Sequence, residues 1–401
     1  MKEVVIIDAV RTPIGRYKGG LKTVRPDDLA AVVIRALMER NPEVPGDKVE
    51  EVILGNANGA GEDNRNVARM AALLANLPVE VGGTTINRLC GSGLDAVMYA
   101  ARAIMAGEGE IFIAGGTESM TRAPLVMAKP DTEFPRGDMK MFDTTIGWRF
   151  VNPLMHEKHG TDSMPQTAEN VASRFGVTRE EQDEFAFKSQ QKARRAMDEN
   201  KFDDEIVPVR LVDRKGNETW IRADEHPRPD TTLEKLGKLK PLFEGGTITA
   251  GNASGVNDGA SALLLMSREK ANELGLKPLA KYVAGAVAGL EPSVMGVGPV
   301  PASQKALKRA GITAQDLDLI ELNEAFASQS IECMKQLSFN QDIVNVNGGA
   351  IAFGHPLGAS GARILTTLLH EMKRRGSRYG LATMCIGVGQ GIAAVVERDD
   401  R

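Results

Sequence analysis

Cysteine is scarce, with three in 401 residues. Three cannot make a full disulfide framework, and no pair of Cys or His has structural-zinc spacing, so neither staples nor a metal are expected. Long apolar runs are missing too. No stretch approaches the roughly 20 residues a membrane helix needs. The opening MKEVVIIDAV offers one lysine and a four-residue apolar run, too short for a secretory signal. A cytoplasmic protein without membrane association is the expectation. The net charge of −4 argues against a general nucleic-acid or anionic-membrane surface, though it leaves room for a polyanion in a local basic patch.

The length exceeds what one core supports, so two or three domains are expected. Strand and helix patterns alternate in the first 120 or so residues. The sequence predicts strands at Val4 to Ala9, Glu51 to Leu54, Thr84 to Asn87 and Glu110 to Ala114, the last ending at Gly115-Gly116. It predicts helices from Asp27 to about Met38 and from Leu94 to Met105. This rhythm indicates a layered α/β domain. Residues 123–247 break it, being richer in charge, Pro and Met, with one helical pattern from Thr167 to Glu199; they read as an inserted lobe. The α/β rhythm then resumes with a strand at Ile343 to Asn347, a glycine-rich loop, a helix from Ala362 to Met372, and a strand from Gly380 to Met384 running into Cys385. The order repeats that from Thr84 to Gly116, which predicts two facing copies of one unit, with Cys90 and Cys385 at equivalent turns.

Four elements carry chemistry. In NRLCGSG, Cys90 sits between a predicted strand and a helix start, where the helix dipole and free N–H groups favour thiolate. In GHPLGASG, His355 lies among glycines, suited to taking a thiol proton. In CIGVGQG, Cys385 is a second thiol at a strand end. Its glycines have the wrong spacing for a dinucleotide fingerprint, so no nicotinamide cofactor is expected. In NEAFA, Asn323 can donate through its amide, with the acid Glu324 beside it. Cys333 shows no such context and reads as core or surface.

Taken in this order and spacing, NRLCGSG, GNASGVNDGA, NEAFA, GHPLGASGAR and CIGVGQG resemble the thiolase family, from about residue 3 to about 398. The resemblance implies an α/β thiolase fold, two similar domains forming a five-layered α-β-α-β-α core. It assigns 1–122 plus 248–276 to the N-terminal domain, 123–247 to a loop domain covering coenzyme A, and 277–401 to the C-terminal domain. It makes Cys90 the acylated nucleophile, His355 its activator and Cys385 the second acid/base. Asn323, through a water and with His355, would stabilise the thioester oxyanion, and the backbone N–H groups of Cys90 and Gly387 the other. Ser254 would meet pantetheine, Arg228 the adenine, and Met164, Ala325 and Phe326 would wall the site. Coenzyme A and acetyl-CoA enter as substrates, no cofactor is permanently bound, and a homotetramer or homodimer is implied.

The implied reaction is thiolytic cleavage of a 3-oxoacyl-CoA, reversible as a Claisen condensation. Asp162 to Gln166, with DTTIGWRF and NPLM, look more like bacterial 3-oxoadipyl-CoA thiolases than acetoacetyl-CoA-forming ones. Arg149 or His156 could then meet a terminal carboxylate. Other classes stay open: a thioester hydrolase with Cys90, His355 and Asn323 or Asn347 as its triad, or a coenzyme A-binding module without catalysis. A decarboxylating ketosynthase would carry His in place of Cys385.

Overall fold

Eight consecutive buried residues, Val4–Arg11, form β1, where two half-sheets meet. The computed structural model describes residues 1–399. After β1 come α1 (Pro26–Arg40), β2 (Glu51–Gly55), α2 (Val67–Leu74), β3 (Gly82–Ile86), α3 (Ser92–Ala106) and β4 (Ile111–Ser119). The lobe carries α4 (Met164–Phe175) and α5 (Arg179–Asp198). Then β5 (Asn257–Ser267), β6 (Ala280–Gly289), α6 (Pro299–Ala310), β7 (Leu319–Leu322), α7 (Ala327–Gln336), α8 (Leu357–Arg375), β8 (Tyr379–Ile386) and β9 (Gln390–Arg398) complete the core.

The strands run β7-β8-β9-β6-β1-β5-β4-β2-β3, with the two-residue strand Gly15–Arg16 paired to β5. The halves share one order, β1-β5-β4-β2-β3 against β6-β9-β8-β7, and join through only Val5–Lys281 and Ile6–Ala280. In each half the inner pairings are antiparallel, while β2 with β4 and β7 with β8 are parallel.

Side chains alternate across each strand, so every half-sheet has two faces to cover. Between the half-sheets, Leu94, Val97, Met98 and Ile104 of α3 pack with Ile364, Leu365 and Leu368 of α8, against Ile53 and Ala114 on one side and Ala382 and Met384 on the other. Outside the first half-sheet, Leu29, Ile34 and Leu37 of α1 and Val67 of α2 cover Val52 and Leu54. Outside the second, Val300 and Leu307 of α6 and Met334 of α7 cover Ile320 and Leu381. Helices and half-sheets therefore stack as five layers, α-β-α-β-α. A buried ion cluster fastens the lobe to β1: Arg11 meets Glu205 at 2.6 Å and Asp224 at 2.7 Å.

Four expectations need correction. β4 does not stop at Gly115-Gly116 but continues to Ser119. Those glycines are packing devices, since a Cβ on Gly115 would collide with Ser261 O and one on Gly116 with Gly358 O. The helix expected over Thr167 to Glu199 is two, split at Gly176 (φ 70°) and restarted by a capping box on Thr178 and Glu181. The strand expected at Ile343 to Asn347 shrinks to one bridge, Ile320 to Val344, at the place β3 takes in the first half. There Asn345 turns to φ 45°, and its side-chain amide binds both Leu322 N (2.9 Å) and Leu322 O (2.8 Å), replacing a backbone ladder.

The fourth correction concerns the repeat. Cys90 precedes α3, and the residue in the same place before α8 is His355, not Cys385. Cys385 lies inside β8, opposite Gly391. Its counterpart in β4 is Glu118, opposite Gly259. Asn56 follows β2 as Asn323 follows β7.

Candidate active site

The turn from β3 to α3 is held by its own side chains. Leu89 adopts φ 46°, a left-handed conformation that costs a leucine about 1–2 kcal/mol. Asn87 Oδ1 accepts the Leu89 N–H at 2.9 Å, and the Ser92 hydroxyl donates to Leu89 O at 2.6 Å while accepting the Arg88 N–H at 2.8 Å. Arg88 is anchored on Asp95 at 2.8 Å and on Gln390 at 3.2 Å. The strained turn presents Cys90 at the start of α3, only 9% exposed. Burial pushes its thiol up to about 11, against a smaller lowering by the Gly387 N–H that bonds it. Desolvation is the largest effect on this thiol and opposes the thiolate preference expected from the helix start.

Gly387 reaches Cys90 because β8 and β9 turn back sharply, with Val388 at φ 62° and Gly389 at φ 76°. On the facing side, a Cβ on Gly91 would sit 2.5 Å from Ile386 Cδ1. Cys385 is buried among Met295, Ala325, Met164 and Phe326. Burial first, then the nearby thiols of Cys90 and Cys333, hold its thiol well above the ordinary value.

The α3 and α8 starts cross at backbone contact. A Cβ on Gly93 would lie 2.7 Å from Gly358 O and 2.9 Å from Ala362 N. This crossing brings the His355 loop against the Cys90 loop. The His355 N–H donates to Asn257 Oδ1 at 3.0 Å, and Asn257 Nδ2 donates to Gly15 O at 3.0 Å. His355 Nδ1 lies 2.6 Å from Ser360 Oγ. Burial, with Arg363 nearby, lowers the imidazole to about 3, so it is neutral near pH 7.

Three buried polar atoms on these loops have no hydrogen-bond partner: His355 Nε2 and both amide atoms of Asn323. Each such group costs about 1–3 kcal/mol when left unmatched, a sign of a site kept for a ligand. Asn323 itself is fixed through its N–H to Thr383 O at 3.0 Å. Its neighbour Glu324 is structural, accepting from Ser189 at 2.7 Å, Asn345 at 2.9 Å and Ile351 N at 3.2 Å. Asn347 donates to Glu371 at 2.9 Å and is committed there. Cys333 is fully buried in α7.

The other candidates divide. Ser254 N–H donates to Ala325 O at 3.0 Å, and Ala253 bridges Phe326, so Ser254, Ala325, Phe326 and Met164 gather beside Cys385. Arg228 stands exposed on the lobe, its N–H on Gln190 Oε1 at 2.9 Å, beside a cleft of about 420 Å³ lined by Phe187, Arg194 and residues 229–234. Arg149 is half-buried on Asn58, whereas His156 is exposed and bonded to Thr161 at 2.8 Å.

Sequence reasoning missed four supporting side chains. Ser360 and Asn257 hold His355. Glu118 accepts the N–H groups of Ala57 and Gly358, each at 2.8 Å, tying the loop after β2 to the start of α8. Burial raises its carboxyl to about 7. Asn56 donates to Thr117 O at 3.0 Å and to Asp63 at 3.1 Å beside it. Ser360, Asn257 and Asn56 lie in glycine-rich motifs, but only Cys, His and a charged or NEAF-type neighbour draw the eye. Glu118 is visible only once β4 is known to pass Gly116.

No helix among the described residues is long and apolar enough to cross a membrane. The family model for the thiolase N-terminal domain matches residues 4–269, and that for the thiolase C-terminal domain matches residues 276–398. The chain is 59% identical to the 3-oxoadipyl-CoA/3-oxo-5,6-dehydrosuberyl-CoA thiolase of Escherichia coli, over 99% of this chain and 100% of that one. It is also 59% identical to the beta-ketoadipyl-CoA thiolase of Pseudomonas aeruginosa, over 99% of each. The crystal structure of the Bacillus anthracis acetyl-CoA acetyltransferase superposes with a TM-score of 0.92 at 43% identity, covering 100% of this chain and 99% of that one. With both domain models matched and the five-layered core in place, the chain belongs to the thiolase family.

Proposed function

We propose that Cys90, His355, Cys385 and Asn323 form the reaction centre of this thiolase, and that its substrate is 3-oxoadipyl-CoA. As a thiolase the enzyme is an acyltransferase that uses coenzyme A to cleave a 3-oxoacyl-CoA. The reading is supported by His355 Nε2 and the Asn323 amide being buried without a partner, and by the Gly387 N–H meeting the Cys90 thiol.

At rest both Cys90 and His355 are neutral, by the burial shifts above. His355 takes the Cys90 proton as the thiolate attacks the 3-keto carbon, whose oxyanion is met by the N–H groups of Cys90 and Gly387. The C2–C3 bond breaks, and Cys385 protonates the acetyl-CoA enolate, whose oxygen faces Asn323 and His355. Cys385 then accepts the proton of incoming coenzyme A, which attacks acyl-Cys90, in a ping-pong sequence. Mass spectrometry after incubation with acetyl-CoA tests this: acetylation at Cys90 is expected, and at any other residue, or at none, refutes it.

The substrate reading is supported by the relatives named for 3-oxoadipyl-CoA and by the segments 143–155 and 162–166. The alternatives are a general 3-ketoacyl-CoA thiolase and an acetoacetyl-CoA-forming one. Residues 123–247 form a coenzyme A-covering lobe inserted in the N-terminal thiolase domain, between 1–122 and 248–276, with 277–401 as the C-terminal domain. Ser254, Met164, Ala325 and Phe326 line the pantetheine path, and Arg228 with its cleft takes the adenine. We also assign a homodimer or homotetramer, supported by the exposed Leu125, Phe134 and Met141 at and between the paired strands Leu125–Met127 and Met141–Asp143 of the lobe. Three free cysteines suit a reducing cytoplasm.

A further inference from the structure

We propose that Arg149 receives the ω-carboxylate of the acyl chain and so sets the preference for a dicarboxylic 3-oxoacyl-CoA; this rests on the substrate reading above. Its position is fixed from two sides. On one side, Asn58 Nδ2 donates to Thr144 Oγ1 at 2.9 Å and to Thr144 O at 3.2 Å, while its Oδ1 accepts from Arg149 Nη2 at 3.4 Å. The next residue back, Ala57, accepts at its carbonyl from Asn87 Nδ2 at 3.1 Å, and Asn87 holds the turn that presents Cys90. On the other side, Trp148 Nε1 donates to Asp162 O at 3.2 Å, two residues before Met164. The Met164 sulfur lies 3.7 Å from where a Cβ on Gly387 would stand, and Gly387 donates to the Cys90 thiol. Arg149 is therefore carried by a segment that spans from the Cys90 turn to the Gly387 turn.

Its chemistry suits the task. Among the described residues it forms no ion pair, and its single side-chain hydrogen bond uses one of five guanidinium donors. Asn58 takes one Nη2 hydrogen, so the other Nη2 hydrogen remains to pair with Nε or with Nη1, either of which grips a carboxylate through two parallel bonds. Arg149 is flanked in sequence by the apolar rings of Trp148 and Phe150, the latter tilted at 58° against Phe142 with centroids 5.1 Å apart. Two other cations are committed elsewhere: Arg88 holds Asp95 and Gln390, and Lys192 donates to Val344 O at 2.9 Å. Arg363 keeps Nε and Nη2 unpartnered but is buried 4.0 Å from Glu321, so a carboxylate there would compete with the acid already beside it. His156 is exposed and faces Thr161.

The test compares kcat/KM for 3-oxoadipyl-CoA with that for 3-oxohexanoyl-CoA, which has the same chain length and no carboxylate. Wild type should favour the dicarboxylic substrate, and Arg149→Gln should lower that ratio by about 10- to 100-fold, the range for one charge-assisted pair. Arg149→Lys, which keeps charge without the fork, should fall between, and His156→Gln should leave the ratio as it is. A wild-type ratio near one would sink the substrate reading and this assignment together. A wild-type preference that survives Arg149→Gln would overturn Arg149 alone and leave the substrate reading standing. Should the Gln variant lack a cooperative melting transition, the Lys variant decides: an unchanged ratio overturns the assignment.

Discussion

Nδ1 of His355 lies 2.6 Å from Ser360 Oγ, and that hydroxyl is 2.9 Å from the Pro356 carbonyl. A hydroxyl has one proton. With Pro356 O accepting it, Ser360 must accept from the imidazole, which places the His355 proton on Nδ1 and the lone pair on Nε2, facing the seam. Ser360→Ala frees the ring to take the wrong tautomer. We expect kcat to fall about 10- to 100-fold, with KM little changed, since the loss is of general-base work rather than binding. Steady-state kinetics with acetoacetyl-CoA checks this, and a rise in KM at constant kcat would contradict it.

Cys385 separates a thiolase centre from a cysteine hydrolase built on the same Cys–His–Asn set. With Cys385→Ala, Cys90 can still be acylated, but nothing remains to protonate or deprotonate the acetyl carbon. Exchange of the acetyl-CoA methyl protons with deuterated solvent should drop by about 100- to 10,000-fold. Proton exchange is followed by magnetic resonance and Cys90 acetylation by mass. Undiminished exchange in the variant would remove Cys385 from the mechanism.

The residues proposed to carry the chemistry stand out in the sequence because each has a rare side chain in a glycine-rich loop. Cys90, His355 and Cys385 are thus conspicuous, and the five-layer architecture follows from the alternating patterns with the family resemblance. Symmetry was not legible. The sequence pairs Cys90 with Cys385 because both are cysteines near glycines, whereas the register pairs Cys90 with His355 and Cys385 with Glu118. Ionisation was legible only in part. A helix start is visible in sequence, but the burial that raises the Cys90 thiol, and the Gly387 N–H that partly offsets it, arise from tertiary packing with segments remote in sequence. The strand expected around Asn345 shrank to one bridge because, after its N–H reaches Ile320 O at 2.9 Å, the side-chain amide of Asn345 takes over the contacts with Leu322.

Glu118 gives a pH prediction with a defined sign. Burial raises its carboxyl from 4.5 to about 7, so the folded chain holds this proton more tightly than the unfolded chain. The stability it contributes is complete below about 4.5 and is lost as pH rises through about 7. Glu118→Gln keeps an acceptor for the Ala57 and Gly358 N–H groups but cannot ionise. The melting temperature of the variant relative to wild type should therefore climb between those two values. His355 (lowered to about 3) titrates in both proteins and cancels in the difference, whereas the Asp63 carboxyl (raised to about 6) is one of the charges that raise Glu118, so the climb reports the two carboxyls as a coupled pair. A flat difference across the window would show that Glu118 is ordinary in its ionisation.

Gly93 tests whether the helix crossing positions the two loops. A methyl at this site would meet Gly358 O at 2.7 Å and Ala362 N at 2.9 Å, both backbone atoms that no rotamer change can move. Gly93→Ala must push the start of α8 away from that of α3, and His355, three residues before Gly358, moves with it. Overpacking of this kind costs about 1–3 kcal/mol, which chemical denaturation would measure. Activity should suffer beyond that loss. In a population still folded at 25 °C, acetylation of Cys90 by acetyl-CoA should slow at least about tenfold, because a misplacement of order 1 Å between nucleophile and base is enough for that. Normal acetylation in a destabilised but folded Gly93→Ala protein would mean that the Cys90 and His355 loops are held in register by other contacts, with the Glu118 bonds to Ala57 and Gly358 as the first to examine.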